Sequence, residues 1–350
     1  MKPGQPVAWL LSAYAAPSHR AWAERVLTLL PGFTWKRFEL PGRHFSWRIR
    51  GNPLSWLDVL PESPPDLMVA TSMVDLATLK GLHPGLARVP TLYYFHENQF
   101  AYPASPDQVP SLEPQMVQLY GALAADRVKF NSAYNRDAFL SGVEALLARL
   151  PDAVPAGVTA RIAARSSVLP VPVEAIASGE QDSGLIVWNH RWEYDKAPEV
   201  FADALLALAA TGRDFRLALL GGRGRVPHPA LARLRSELGS RIVIDGELPR
   251  ADYTALLGRA GIVVSTARHE FQGLAVLEAV SAGARPLVPN ALCYPEQYPD
   301  AYRYPADDVR ALTGRLEQWL RDGLPPPVDV SAWYGPSLAP RWDTALKALL

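Results

Sequence analysis

Glu270 and Glu278 lie on either side of an expected helix start, in the run Ser265-Thr266-Ala267-Arg268-His269-Glu270-Phe271-Gln272-Gly273-Leu274-Ala275-Val276-Leu277-Glu278-Ala279. The pattern reads as a buried strand ending in a polar loop, with a helix opening near Gly273. Backbone N–H groups at a helix start hold a phosphate, helped by the helix dipole. Gly273 would admit that phosphate close to the main chain. A carboxylate only accepts hydrogen bonds, so Glu270 suits the hydroxyls of a sugar ring and Glu278 a ribose diol. Phe271 and Gln272 would line the same helix start. The alternative is two solvated glutamates flanking a helix.

A second segment strengthens the first. The strand pattern Ile186-Val187-Trp188 runs into Asn189-His190-Arg191-Trp192-Glu193-Tyr194-Asp195-Lys196. A departing nucleoside diphosphate needs fixed positive charge, which Arg191 supplies as a planar fork and Lys196 as a point charge. Asn189 and His190 would stand beside the same ligand. The alternative is a solvated loop with an Arg–Glu pair. Gly221, which opens Gly221-Gly222-Arg223-Gly224 after another strand, could approach the nucleotide, although a glycine cluster alone is more often a turn.

The first half of the chain offers further polar residues at strand ends. Tyr94-Phe95 is followed by His96, Glu97, Asn98 and Gln99, and Phe130 by Asn131 and Ser132. Ser18 and His19 sit at the first strand–helix turn. Singly, such residues are more often caps; together at strand ends they make His96 a candidate for the reaction centre and the others candidates for the acceptor. Lys36-Arg37-Phe38, and then Arg43-His44-Phe45-Ser46-Trp47-Arg48-Ile49-Arg50, interleave cations with aromatics. Arg43, Arg48 and Arg50 could meet phosphates while Trp47 stacks on an unpaired base. The alternative is an amphipathic edge strand with snorkelling arginines.

The elements that must position these residues alternate regularly. Strand patterns occur at Val7–Leu11, Leu67–Ala70, Thr91–Phe95, Val128–Asn131 and Ser167–Leu169. A second set covers Leu185–Trp188, Arg216–Leu220, Ile242–Ile244, Ile262–Ser265 and Arg285–Val288. Helical patterns between them include Arg20–Leu30, Ala133–Leu150, Pro198–Ala210, His228–Leu238 and Gly273–Ala282. This alternation predicts parallel α/β architecture, twice over, with ligands beyond the carboxyl ends of the strands. Pro170-Val171-Pro172 and Ser178–Ser183 mark the boundary. The expected layout is an acceptor domain over 1–175, a donor domain over 184–335, and a last helix over 336–350 that packs back on the first domain.

The chain has 350 residues, 49% of them hydrophobic, enough for two cores. Its 35 basic and 35 acidic residues cancel, which disfavours a uniformly basic nucleic-acid binder and leaves room for a local patch. A single cysteine, Cys293, excludes a disulfide framework or a cysteine zinc site and suits a reducing cytoplasm. Val7–Leu11 reads as a first buried strand rather than a signal peptide. No run is long enough for a membrane span. No metal site and no obligate protein partner is expected.

The spacing of Arg191, Lys196, Glu270 and Glu278 resembles that of retaining family 4 glycosyltransferases with the GT-B fold. The motifs Tyr94-Phe95-His96-Glu97-Asn98-Gln99, Phe130-Asn131-Ser132, His190-Arg191-Trp192-Glu193 with Asp195-Lys196, and His269-Glu270-Phe271 are similar to those of the tRNA-queuosine α-mannosyltransferases. That resemblance spans nearly the whole chain. It implies two Rossmann-like domains facing a cleft, GDP-mannose as donor, queuosine in a tRNA anticodon as acceptor, retention of configuration, and no metal or other cofactor. The family's first turn carries Gly-Gly before Ser-His, where this chain has Ala16-Pro17. The residues by themselves also fit another nucleotide sugar with a lipid, saccharide or small-molecule acceptor, a non-catalytic nucleotide-sugar or RNA binder, or, more remotely, an epimerase on the same fold.

Overall fold

The computed structural model describes residues 4–102, 111–224 and 227–350. Its chain divides into two compact units, 1–172 with 335–350, and 173–334.

Unit 1 begins with β1 (Val7–Ala15), α1 (Pro17–Leu29), β2 (Thr34–Pro41) and α2 (Phe45–Ser55). It continues with β3 (Leu67–Thr71), α3 (Leu76–Leu82), β4 (Thr91–Phe95), α4 (Glu113–Ala124), β5 (Arg127–Phe130), α5 (Ala133–Leu147), α6 (Val158–Ala163) and β6 (Ser166–Val168). Among the described residues the strands form one six-stranded sheet in the order β2-β1-β3-β4-β5-β6, every pair parallel. A parallel sheet covered on both faces buries whole strands, which is why β3 and β4 are apolar without alternation. Trp9, Met68, Tyr93, Phe95, Phe130 and Phe139 fill its core.

Unit 2 repeats the plan with β7 (Asp182–Trp188), α7 (Pro198–Ala210), β8 (Arg216–Leu219), α8 (Pro229–Leu238), β9 (Ile242–Asp245), α9 (Arg250–Arg259), β10 (Ala260–Val264), α10 (Leu274–Ser281), β11 (Arg285–Pro289), β12 (Arg303–Tyr304) and α11 (Val309–Asp322). The order is β12-β11-β10-β7-β8-β9, again parallel. Neighbours β10 and β7 lie at the centre of the order, so the loops that leave them run side by side.

A final helix, α12 (Gly335–Lys347), belongs to unit 1. Its Trp342 indole lies 5.9 Å from Trp22 and 5.0 Å from Tyr94 and donates to the Pro170 carbonyl at 3.2 Å. Among the described residues no helix is long and apolar enough to cross a membrane.

The segment of interleaved cations and aromatics departs from the edge-strand alternative. Residues 34–41 do form the edge strand β2, but Phe45–Ser55 is helical. His44 turns the chain in the left-handed region (φ 55°). The buried Asn52 amide then fastens the helix, donating to the carbonyls of Arg48 at 2.8 Å, Ile49 at 3.2 Å and Met73 at 3.2 Å.

Candidate active site

Within unit 2, the loops after β7 and β10 are laced together. Thr266 donates its hydroxyl to the carbonyls of Lys196 (2.8 Å) and Ala197 (3.0 Å), and the N–H groups of Arg268 and His269 donate to the Asp195 carbonyl. Lys196 is thereby aimed across the seam. Its ammonium donates to the His269 carbonyl at 2.6 Å and to Glu270 Oε2 at 3.3 Å, and pairs with Asp195 at 3.2 Å. Burial works against this ammonium, but Glu270 and Asp195 outweigh it and raise its pKa. Burial likewise works to raise the Glu270 carboxyl, but the Lys196 charge, His190 and the Gly273 N–H hold it down at about 2. His190 and His269, buried and facing the Lys196 charge, are pushed down to about 4 and are neutral at pH 7. The site therefore keeps a fixed ammonium–carboxylate pair flanked by neutral imidazoles.

Gly273 adopts φ +66° at the start of α10, and a Cβ there would come within 3.0 Å of the Tyr294 ring. Glu270 Oε1 accepts the Phe271 N–H at 3.1 Å, which holds its carboxylate just ahead of this helix start, where the dipole favours negative charge. Phe271 is buried with its ring edge-on to His269, and the Gln272 carbonyl accepts from Gln297 at 2.7 Å.

Two turns along α10, Glu278 is engaged by α9. Arg250 Nη1 donates to Oε1 and Tyr253 Oη to Oε2, each at 3.1 Å. Asn189 donates its amide to Tyr253 Oη at 3.1 Å and to the Ala275 carbonyl at 2.7 Å. Arg250 and Tyr253 escaped sequence reading; the only signal for them was their position in the first turn of a helix that follows a strand.

Two residues behave differently from their neighbours. Arg191 is half exposed and pairs with Glu193 at 3.0 Å, as the alternative reading had it. Gly221 owes its identity to the protein itself. A Cβ there would stand 1.9 Å from the His190 carbonyl, so glycine lets the loop after β8 lie against the loop after β7.

In unit 1, His96 follows β4. Its ring stacks on His19 at 4.5 Å and meets Trp22 and Tyr94 edge-on at 4.3 and 4.7 Å. Burial, then the neighbouring His19, hold it well below the usual histidine range. Both its ring nitrogens are shielded and make no hydrogen bond among the described residues. His19 is oriented by a 2.8 Å contact between Nδ1 and the Tyr14 carbonyl, and Ser18 is exposed in the first turn of α1.

The polar residues after His96 chiefly shape the loop. Asn98 is fully buried; it donates to Asn135 Oδ1 at 2.8 Å and accepts from the N–H groups of Phe100 and Ala101. Asn131 donates to the His96 carbonyl at 2.8 Å. The carbonyl of Glu97 accepts from Ser72 at 3.1 Å, and the N–H of Gln99 donates to Gln118 at 2.7 Å. Asn135 and Gln118 were not singled out from sequence, because they lie inside helices.

On and just before α2, Arg43 and Trp47 are exposed and Arg48 donates to Ser55 at 3.3 Å. Arg50 is bound to the buried Asp75 and to Glu113 at 2.9 Å.

Residues 7–173 match the family model "tRNA-queuosine alpha-mannosyltransferase N-terminal", and residues 184–322 match "Glycosyl transferases group 1". A tRNA-queuosine alpha-mannosyltransferase of Drosophila melanogaster is 34% identical over 299 residues, covering 81% of this chain and 79% of that protein. Among solved structures, HepE of Anabaena in complex with UDP superposes with a TM-score of 0.69 at 14% identity, covering 98% of this chain and 100% of that one. A sucrose-phosphate synthase of Thermosynechococcus elongatus gives 0.66 at 16% identity over 99% and 94%. These likenesses, with the two parallel sheets, make the fold GT-B.

Proposed function

The chain belongs to the tRNA-queuosine alpha-mannosyltransferase family and is a glycosyltransferase, and from that premise we propose that it moves mannose from GDP-mannose to the queuosine nucleoside of tRNA with retention of configuration. The observation that carries the donor half of this reading is the pair of the buried Lys196 with the largely buried Glu270 at the start of α10. An ammonium fixed in a site of low polarity stabilises a diphosphate as its charge grows, without reorganisation at the moment of transfer. The N–H groups of the helix start add to it. Glu270 then accepts hydroxyls of the transferred sugar, Glu278 accepts the ribose diol, and Arg191 leaves Glu193 for the phosphates. Gly221, Asn189, His190, Phe271 and Gln272 shape the same donor pocket.

For the acceptor half, the shielded and unbonded nitrogens of His96 support a place at the reaction centre. Leaving a buried donor or acceptor without a partner costs about 1–3 kcal/mol, an expense a ligand hydroxyl would relieve. Ser18, His19, Glu97, Asn98, Gln99 and Asn131 surround it, and Arg43, Trp47 and Arg48 meet the RNA. Lys196 takes the part that a divalent ion plays on the diphosphate in other transferases, so transfer proceeds in EDTA.

Incubating the protein with queuosine-containing tRNA and a panel of radiolabelled nucleotide sugars tests the reading. Label is expected to move from GDP-mannose to that tRNA and not to tRNA lacking queuosine. Transfer from another sugar nucleotide alone, or to a lipid or free saccharide in preference to tRNA, would replace it.

A further inference from the structure

Glu278 is held by two residues of the neighbouring helix, and the direction of the hydrogen bonds between them is fixed. Asn189 must turn its Nδ2 toward the Ala275 carbonyl, which can only accept, at 2.7 Å. The same amide therefore donates to Tyr253 Oη at 3.1 Å. With its oxygen already accepting, the phenol is left to donate its own proton to Glu278 Oε2, at 3.1 Å. The phenol stays protonated, because burial and then the Glu278 charge push its pKa up. Arg250, three residues earlier on the same face of α9, donates to the other oxygen, Oε1, and its guanidinium stacks over the Tyr253 ring at 5.5 Å. Each carboxylate oxygen thus takes one bond from α9, and a carboxylate oxygen has lone pairs for more than one donor.

We propose that Tyr253 is a positioning residue that sets the specificity of the donor site for a ribose diol, by orienting the Glu278 carboxylate as a fork for two vicinal hydroxyls. This rests on the reading of Glu278 as the ribose-binding residue. A carboxylate free to rotate loses that fork, whereas one clamped at both oxygens presents it ready-made. The ligand class is a ribonucleoside diphosphate, and the relay is silent toward a nucleotide without the diol.

The test compares GDP with 2′,3′-dideoxy-GDP by calorimetry on the wild type, Tyr253→Phe and Glu278→Gln. Wild type is expected to prefer GDP by about 10- to 100-fold, the usual scale for hydrogen bonds to a charged group. Tyr253→Phe keeps the ring and is expected to weaken GDP by about 3- to 30-fold while leaving the dideoxy ligand unchanged. Glu278→Gln should remove most of the preference. If Tyr253→Phe weakens both ligands equally, or neither, while wild type and Glu278→Gln behave as expected, the relay is structural only and the proposal fails. If wild type itself does not distinguish the two ligands, the reading of Glu278 fails and the proposal with it.

Discussion

Lys196 and Arg191 stand five positions apart and make unlike contacts, so their removal has unlike consequences. Arg191 is 55% exposed and pairs with Glu193 across a surface loop, and exposed ion pairs are worth little, so Arg191→Ala should shift the unfolding midpoint only slightly. Losing one charge-assisted contact to a diphosphate typically costs about 2–4 kcal/mol, roughly 30- to 1000-fold in rate. That loss is the expected result for kcat/KM. Lys196→Ala should lose at least as much and also destabilise the fold, because it strips the counter-charge from the largely buried Glu270. Wild-type turnover in both variants would sink the donor-site assignment. The imidazoles add a pH prediction. His190 and His269 are lowered to about 4 from 6.5 in the folded protein, so the unfolded chain binds more protons between those limits. Their contribution to stability is full above pH 6.5 and is lost as pH falls toward 4; that of Glu270, lowered from 4.5 to about 2, is lost below pH 4.5. Each extra proton taken up on unfolding is worth about 1.4 kcal/mol per pH unit. Urea titrations at pH 7, 6, 5 and 4 should show a progressive fall; a midpoint flat over that range contradicts the buried neutral histidines. Lys196 and Glu270 were legible in the sequence because each follows a strand pattern. Tyr253 was not, because its meaning depends on Glu278, 25 residues away, and on Asn189, 64 residues away.

Elements were legible where burial is one-sided in character. Thr91–Phe95 and Pro198–Ala210 come out with the bounds their patterns predict, since both are continuous apolar or strongly helical runs. The edge strand β2 carries Trp35, Lys36, Arg37, Phe38 and Glu39 in mixed company and, being half covered, shows no clear period. The two-residue β12 is too short for any pattern. At α2 the interleaved cations and aromatics look alike in sequence, yet packing separates them. Arg50 is committed to the buried Asp75 and to Glu113, both distant in sequence. Trp47 instead is 53% exposed, and its indole lies along the helix at Gly51, where an added Cβ would fall 2.4 Å from the ring. One face of the indole is thus held by the helix while much of the ring meets solvent, a rigid platform suited to stacking on an unpaired base. Trp47→Ala is accordingly expected to weaken tRNA binding by about 1–3 kcal/mol with GDP binding unchanged, as read by anisotropy and calorimetry. Arg50→Ala should act mainly through stability, lowering the unfolding midpoint by leaving Asp75 buried without its cation. Equal tRNA affinity in Trp47→Ala and wild type would return α2 to a purely structural role.

At the scale of the molecule, one plan is used twice: a parallel six-stranded sheet, with functional candidates in the loops beyond its strand ends. That plan was readable from the alternation of apolar runs and helical periods, because parallel strands must be buried on both faces and connected by helices. Charge is the second property of the whole chain, and it bears on the RNA acceptor. With 35 basic against 35 acidic residues there is no global field to draw a polyanion. Many of the arginines are also spent on internal partners, as Arg50 on Asp75, Arg37 on Glu24 and Glu39, and Arg235 on Asp245. The exposed cations in the segment that carries Trp47 are few, chiefly Lys36 and Arg43 with the half-buried Arg48. Each phosphate neutralised contributes about 0.7–0.9 to the slope of log K against log salt concentration. A footprint of roughly three contacts therefore predicts a slope of about −2 to −3, and Arg43→Ala should flatten it by a little under one unit. Anisotropy titrations of labelled queuosine-tRNA over a series of salt concentrations measure this directly. A slope steeper than about −6 would mean an extended basic surface that the neutral chain does not supply, and would move the RNA site away from α2. A slope near the expected value that Arg43→Ala leaves unaltered would keep the small footprint but place it on other cations.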